Sequence, residues 1–149
     1  MSILIYFILG LLTSLLFPPY FFLPLGFIIF PFLCFLLESN KENYSDKNIF
    51  NKFSIFGFGF FISYLFWIKN PFFVFEETKN FFLVFLLLII FLSVTLGLIF
   101  TIIFKLGKKI PIIILIPLMF TSSEYIISIF FYGFPWFCLL YTSDAADDR

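Results

Sequence analysis

The sequence predicts an all-α protein, a polytopic transmembrane helical bundle of about five spans with its N-terminus cytoplasmic. Three observations lead there. Hydrophobic residues make up 62% of the 149 and charged residues only 12%, with a mean hydropathy of +1.13, far outside the range of water-soluble domains. Apolar runs of about span length recur along the chain, separated by short polar or proline-bearing connections. The lysines are distributed unevenly among those connections, which sets the orientation. The 29 Phe are read as the codon preference of an AT-rich genome, since any large apolar residue satisfies lipid, and not as an aromatic binding stripe.

Ile3 to Phe17 is the first apolar run, 15 residues long. A signal peptide is not expected, because no Lys or Arg precedes the run and no small-residue cleavage site follows it. Counted from Met1 it forms roughly 25 Å of helix, enough to cross with modest local thinning. Gly10 and Ser14 stand four apart on one face, which suits close helix packing. Pro18-Pro19 ends the helix, since neither carries an N–H and the residue before a proline avoids the α region. Tyr20 sits at the turn, and Phe21 to Leu37 is the second run, with Pro24 in its first turn and Pro31 expected to kink it. The two runs therefore form a helical hairpin.

Glu38 to Lys52 is polar, of mixed sign and rich in Asn and Ser, and reads as a solvated loop. Ser54 to Ile68 is the third run, with Gly57 and Gly59 as packing positions and Trp67 marking an interface. Lys69 to Asn80 connects it to the fourth and includes a Phe-Phe-Val-Phe patch that suits a dip into the interface. Phe81 to Phe104 is the clearest span, 24 uncharged residues that make about 36 Å of helix, with Ser93, Gly97 and Thr101 forming a small-residue seam. Lys105, Lys108 and Lys109 form a basic hinge before the fifth run, Ile110 to Tyr132, which carries Pro111 near its start and Pro117 inside. The Thr121-Ser122-Ser123 hydroxyls are expected to hydrogen-bond near the break at Pro117.

With the N-terminus inside, Lys41, Lys47, Lys52, Lys105, Lys108 and Lys109 face the cytoplasm against Lys69 and Lys79 outside. Pro18 to Tyr20, Trp67 and Gly133 to Trp136 then share the outer side, as an aromatic belt or as the rim of a site. Composition favours the belt.

Function classes narrow quickly. Without Asp144, Asp147, Asp148 and Arg149 the chain holds eight basic against six acidic residues, too slight an excess for a nucleic-acid partner. Histidine is absent, and Cys34 and Cys138 stand far apart without metal-ligand spacing, so no metal or cofactor is expected. Cys34 reads as a small core hydrophobe. Glu76 and Glu77 are adjacent and point apart on a helix, a poor carboxylate pair. Glu124 is the single ionisable group inside a span. A charge at membrane depth is costly unless paired, protonated or facing water, so Glu124 is either a helix–helix hydrogen bond or a group lining a lipid or substrate cavity. Residues 138–149 break with the rest: the last eight hold both alanines and no Phe or Ile, and the string from Cys138 resembles translated adapter sequence. This segment is expected to be non-native or a disordered tail.

Three stretches carry a family resemblance. Phe17-Pro18-Pro19-Tyr20-Phe21-Phe22-Leu23-Pro24-Leu25, then Gly57-Phe58-Gly59-Phe60 leading to Trp67, then Glu124-Tyr125 followed by Gly133-Phe134-Pro135-Trp136 resemble the N-terminal membrane domain of apolipoprotein N-acyltransferase. The likeness covers most of residues 10 to 137. It departs at Ile127, where the family usually has Arg, and at Leu140-Tyr141, where it usually has Gly-Tyr.

The resemblance implies a multi-pass protein of the bacterial cytoplasmic (inner) membrane. The complete enzyme would transfer an acyl chain from membrane phospholipid to the N-terminal cysteine amine of a diacylated lipoprotein. That chemistry belongs to an extracytoplasmic nitrilase-like domain with a Glu-Lys-Cys triad, expected to lie outside these residues. Residues 1–137 are then the membrane domain, no catalytic residue lies in the chain, and neither Cys34 nor Cys138 is the nucleophile. What the resemblance leaves to this chain is a substrate or lipid platform made of Pro19, Tyr20, Glu124, Gly133, Phe134, Pro135 and Trp136. The alternative is a small five-span transporter subunit or assembly factor without acyl chemistry; a lone intramembrane carboxylate and the lack of an internal repeat weigh against transport.

Overall fold

A computed structural model describes residues 3–17, 20–38, 45–66 and 82–130. Among them are five α-helices and no strand: α1 (Ile3–Ser14), α2 (Gly26–Glu38), α3 (Asp46–Tyr64), α4 (Phe82–Leu106) and α5 (Ile112–Phe130), with a single 3-10 turn at Leu23–Leu25 before α2. Helices α4 and α5 are long and apolar enough to cross a membrane; α1, and α2 together with its 3-10 turn, are apolar but shorter.

Helix α3 is the central element, packed along both α1 and α4. The contact with α1 runs from Tyr6 against Phe53 at one end to Phe17 against Phe60 and Tyr64 at the other, so these helices are parallel. The contact with α4 runs the opposite way, with Asp46 paired to Lys105 and Gly57 against Ser93. Backbone proximity makes both contacts possible. A Cβ on Gly10 would collide with the Phe56 carbonyl oxygen, and one on Gly59 with the Phe7 carbonyl oxygen. Across α4, a Cβ on Gly97 would collide with the Ser54 hydroxyl. In lipid no hydrophobic effect drives helices together, so such close approach supplies the dispersion contacts that do. The Ser14 and Ser63 hydroxyls add a 2.8 Å hydrogen bond between α1 and α3. The faces expected at Gly10/Ser14, at Gly57/Gly59 and at Ser93/Gly97 are thus the helix contacts themselves.

Phenylalanine plays two parts. Phe53, Phe56, Phe100, Phe104 and Phe120 interlock α3, α4 and α5 mainly by edge-to-face contacts, with centroids 5.1 Å apart for Phe53–Phe100 and 5.2 Å for Phe100–Phe120. Phe27, Phe35 and Phe91 point outward, Phe27 at 86% exposure, where any apolar residue serves. The second group lies on apolar outer faces, as expected if any large apolar residue serves there; the first is built into the core.

Three segments differ from the sequence reading. Helix α1 closes at Ser14, where residues 15–17 continue as turns whose N–H groups bond the Leu12, Thr13 and Ser14 carbonyls. The second helix begins at Gly26 and not near Phe21, because Phe21 takes φ 47°, a left-handed conformation no helix admits. Residues 46–52, expected to be loop, are the first two turns of α3. Ser45 is extended at the N-cap, its carbonyl accepts the Asn48 and Ile49 N–H groups, and Asp46 suits the positive end of the helix dipole. Ile49, Lys52, Phe53 and Phe56 already follow the helical period, and all four are buried. Lys52, only 7% exposed, holds its ammonium 5.5 Å from the Tyr6 ring centroid, where its stem packs on apolar neighbours and its charge meets the aromatic face. At the same end the Lys105 ammonium bonds the exposed Asp46 carboxylate at 2.6 Å, and with Lys108 nearby it holds that carboxyl below its usual range.

The α1–α3 contact predicts the sign of two substitutions. Gly59→Ala gains up to about 1 kcal/mol of helix propensity but overpacks a backbone contact at a cost of about 1–3 kcal/mol. It should lower the unfolding midpoint in detergent. Ser54 Oγ is buried without a hydrogen-bond partner among the described residues, so Ser54→Ala should leave that midpoint unchanged or raise it.

Candidate functional site

Two of the sequence-predicted site residues are described, Tyr20 in the turn after α1 and Glu124 in the second half of α5, and both lie toward the same end of the bundle. Helix α5 begins at Ile112 beside Glu38 of α2, brings Phe120 against Phe30, Phe56 and Phe100 at mid-height, and runs on toward the end where Phe17 and Tyr64 meet. Glu124 is one turn beyond Phe120. Its inward face is set by helical spacing: Ile112, Leu115, Ile116, Met119, Phe120, Ser123, Glu124 and Ile127 are the buried residues of α5.

Glu124 is 2% exposed, flanked on its own helix by fully buried Ser123. The Ser123 hydroxyl donates to the Met119 carbonyl at 2.7 Å, and the Thr121 hydroxyl donates to the Pro117 carbonyl at 2.9 Å. Hydroxyls were expected near the proline break, and they are there, although these two bond carbonyls one turn back on their own helix. Such internal bonds let Ser and Thr sit in an apolar helix without an external partner. Glu124 is engaged within the bundle and does not open onto a surface.

Tyr20 is the opposite case, 61% exposed at the hairpin turn. Its N–H bonds the Phe17 carbonyl at 3.1 Å, and the Phe22 N–H reaches back to the Leu15 carbonyl at 2.9 Å, which closes the turn. The left-handed Phe21 between them stores about 1–3 kcal/mol of backbone strain. The result is an apolar tip in which Tyr20, Phe21, Phe22 and Leu23 are all exposed. Tyr20 and Glu124 therefore share an end of the bundle without sharing a surface. Pro19 and Gly133, Phe134, Pro135 and Trp136 lie outside the described residues, as do Trp67, Glu76, Glu77 and Cys138.

One feature escaped sequence reading. Between α2 and α5 lies an apolar cavity of about 650 Å³ whose walls include Pro31 and Cys34 on one side and Ile113 and Pro117 on the other. Cys34 is half-buried on this wall, a less enclosed place than the core position expected of it. The signal was the pair of mid-helix prolines, Pro31 and Pro117, each read alone as a kink. Among the described residues no group of three His, Cys, Asp or Glu side chains stands close enough to hold a metal ion.

A family model described as apolipoprotein N-acyltransferase N-terminal domain matches residues 9–143. No curated protein and no solved structure matches the chain.

The burial of Glu124 sets an expectation for its variants. Glu124→Gln keeps shape and hydrogen-bonding capacity and should unfold close to wild type, whereas Glu124→Ala strands its surroundings and should lose about 1–3 kcal/mol in denaturant titration. A large loss in the Gln variant would show that the charge itself is required.

Proposed function

The chain belongs to the apolipoprotein N-acyltransferase N-terminal domain family, and on that premise we propose that it is the membrane portion of an enzyme that moves an acyl chain from phospholipid to the N-terminal cysteine amine of bacterial lipoproteins. The family match over residues 9–143 carries this reading. The chain crosses the inner membrane several times with its N-terminus cytoplasmic, and residues 1–137 form the membrane domain. The basic end that holds Lys105, Lys108 and Lys109 then faces the cytoplasm, and the end that holds Tyr20 faces outward.

The division of labour follows from the residue types. Acyl transfer through a thioester needs a thiolate, a base to activate it and donors to stabilise the tetrahedral oxyanion. Cys34 has no such constellation among the described residues: it lines an apolar wall with Phe30, Pro31 and Ile116, and the one carboxylate beside it is Glu38, a turn further along α2 at the edge of the same cleft. The triad is assigned to a catalytic domain outside residues 1–149. This chain supplies the platform beneath it. The exposed tip at Tyr20 offers aromatic surface suited to hold the diacylglyceryl group of the acceptor beside the donor phospholipid, and the family resemblance assigns Gly133 to Trp136 to the same platform. Glu124 holds α5 in place under that platform from within the bundle.

Two measurements test this. The purified 149-residue chain should not acylate a diacylated lipopeptide from labelled phospholipid; transfer by this chain alone overturns the assignment of chemistry elsewhere. In a complete family member built on this membrane domain, Trp136→Ala should cut turnover about tenfold, which corresponds to ~1.4 kcal/mol of transition-state stabilisation, with no loss of folded protein. Unchanged turnover removes the platform.

A further inference from the structure

The cavity between α2 and α5 continues into a cleft of about 490 Å³ that shares Cys34 and Ile113 with it and reaches Glu38 and Pro111 at the basic end of the bundle. Together they make one trench along α5. The upper limit is Phe17 with Thr121, and beyond that level Ser123, Glu124 and Ile127 are packed away inside the bundle. From Pro111 to Thr121 the trench follows ten residues of α5, roughly 15 Å at the helical rise. That is half of a ~30 Å hydrocarbon core, the depth of one leaflet.

The walls are apolar. Thr121 is the hydroxyl-bearing residue among them, and its proton is committed to the Pro117 carbonyl. Water has nothing to bond there, and a void of this size would forfeit packing on every wall. A membrane-spanning helix does not match a trench that follows only the first half of α5, from Pro111 to Thr121. The tail of a lipid in one leaflet does.

The mouth is charged. Lys108 and Lys109 are both exposed, and Lys109 precedes Pro111 of the cleft by two residues, at most about 7 Å of chain. Lys105 is occupied by Asp46. Glu38 lines the cleft itself, and Lys109 and Lys108, the latter also near Asp46, stand two and three residues before its Pro111 wall, two positive charges against one negative at the mouth. The geometry points to a resident anionic phospholipid, with one acyl tail laid in the α2–α5 trench and its phosphate at Lys108 and Lys109. The occupant is a lipid of the leaflet at the basic end, and its headgroup lies at the opposite end of the bundle from the Tyr20 turn, with the tail reaching up to Phe17, which adjoins that turn. The headgroup site is therefore separate from the platform on which acyl transfer is proposed and does not depend on that reading. Basic groups beside a cleft between transmembrane helices are the usual means of holding such headgroups.

The test uses the whole chain purified in non-ionic detergent, titrated with phosphatidylglycerol or phosphatidylethanolamine and read by native mass spectrometry. Wild type should retain one phosphatidylglycerol per chain and prefer it to phosphatidylethanolamine. Ile113→Trp fills the trench from a position already 72% exposed and should lower retention at least fivefold. Leu87→Trp, on the outer face of α4, should not. The double variant Lys108→Gln with Lys109→Gln should lower phosphatidylglycerol retention at least threefold and abolish the preference. Should Ile113→Trp fail to elute as a folded species, Cys34→Leu narrows the same trench and replaces it. Four results overturn the inference: no lipid on wild type, equal retention by the trench variant, equal loss from Leu87→Trp, or lipid-free dimers that place a second copy in the trench.

Discussion

Backbone contact between α3 and its two neighbours is the constraint on which the rest of this bundle depends. Gly10 and Gly59 let α1 and α3 meet carbonyl to Cα, and Gly97 receives the Ser54 side chain where a methyl group would collide. Lipid offers helices as much apolar contact as they offer one another, so association must come from closeness, and closeness requires small residues. The fixed spacing of α1, α3 and α4 then determines where every larger side chain goes. The Phe53–Phe56–Phe100–Phe104 cluster fills the α3–α4 angle, and Phe120 of α5 docks onto its rim.

Helix α2 is held differently. It carries no residue in the small-residue contacts, turns Phe27, Ile28 and Phe35 outward, and meets α5 through the Phe30–Phe120 edge contact at 6.0 Å. Prolines in both helices prevent straight, close packing along their length. A tight slab of α1, α3 and α4, with α5 docked on α4 and α2 attached only lightly, leaves the gap between α2 and α5 without weakening the slab. The strained Phe21 turn belongs to the same design, since it redirects the chain from the rigid α1 edge to the splayed α2.

This layout gives the two ends of the molecule different characters. One end collects Lys52, Lys105, Lys108 and Lys109 with Asp46 and Glu38. The other exposes an apolar tip at Tyr20 to Leu23 and sinks its carboxylate, Glu124, into the bundle. Glu124 stands where the family resemblance drew attention, and it is buried in the bundle at 2% exposure. Its usual Arg neighbour is replaced by Ile127, which is also buried, so the inward face of α5 around the carboxylate is more apolar than the resemblance implied.

Sequence alone determined the all-α class, the positions of the apolar helices and their small-residue faces, because composition, 3.6-residue periodicity and the spacing of Gly and Ser are local properties of the chain. The family was legible for the same reason, in short motifs at Pro18 to Tyr20, Gly57 to Phe60 and Glu124-Tyr125. Local polarity misled at residues 46–52, where Asn and Lys masked a helical stripe of Ile49, Lys52, Phe53 and Phe56 that only the neighbouring helices could complete. The tertiary structure decided what depends on partners distant in the sequence. It set which helix each small face meets, that Lys52 settles over Tyr6, and that Glu124 is enclosed while Tyr20 is bare. It also brought Pro31 and Pro117 to the same trench. No local pattern encodes such pairings, since each arises from the packing of surfaces that lie on different helices.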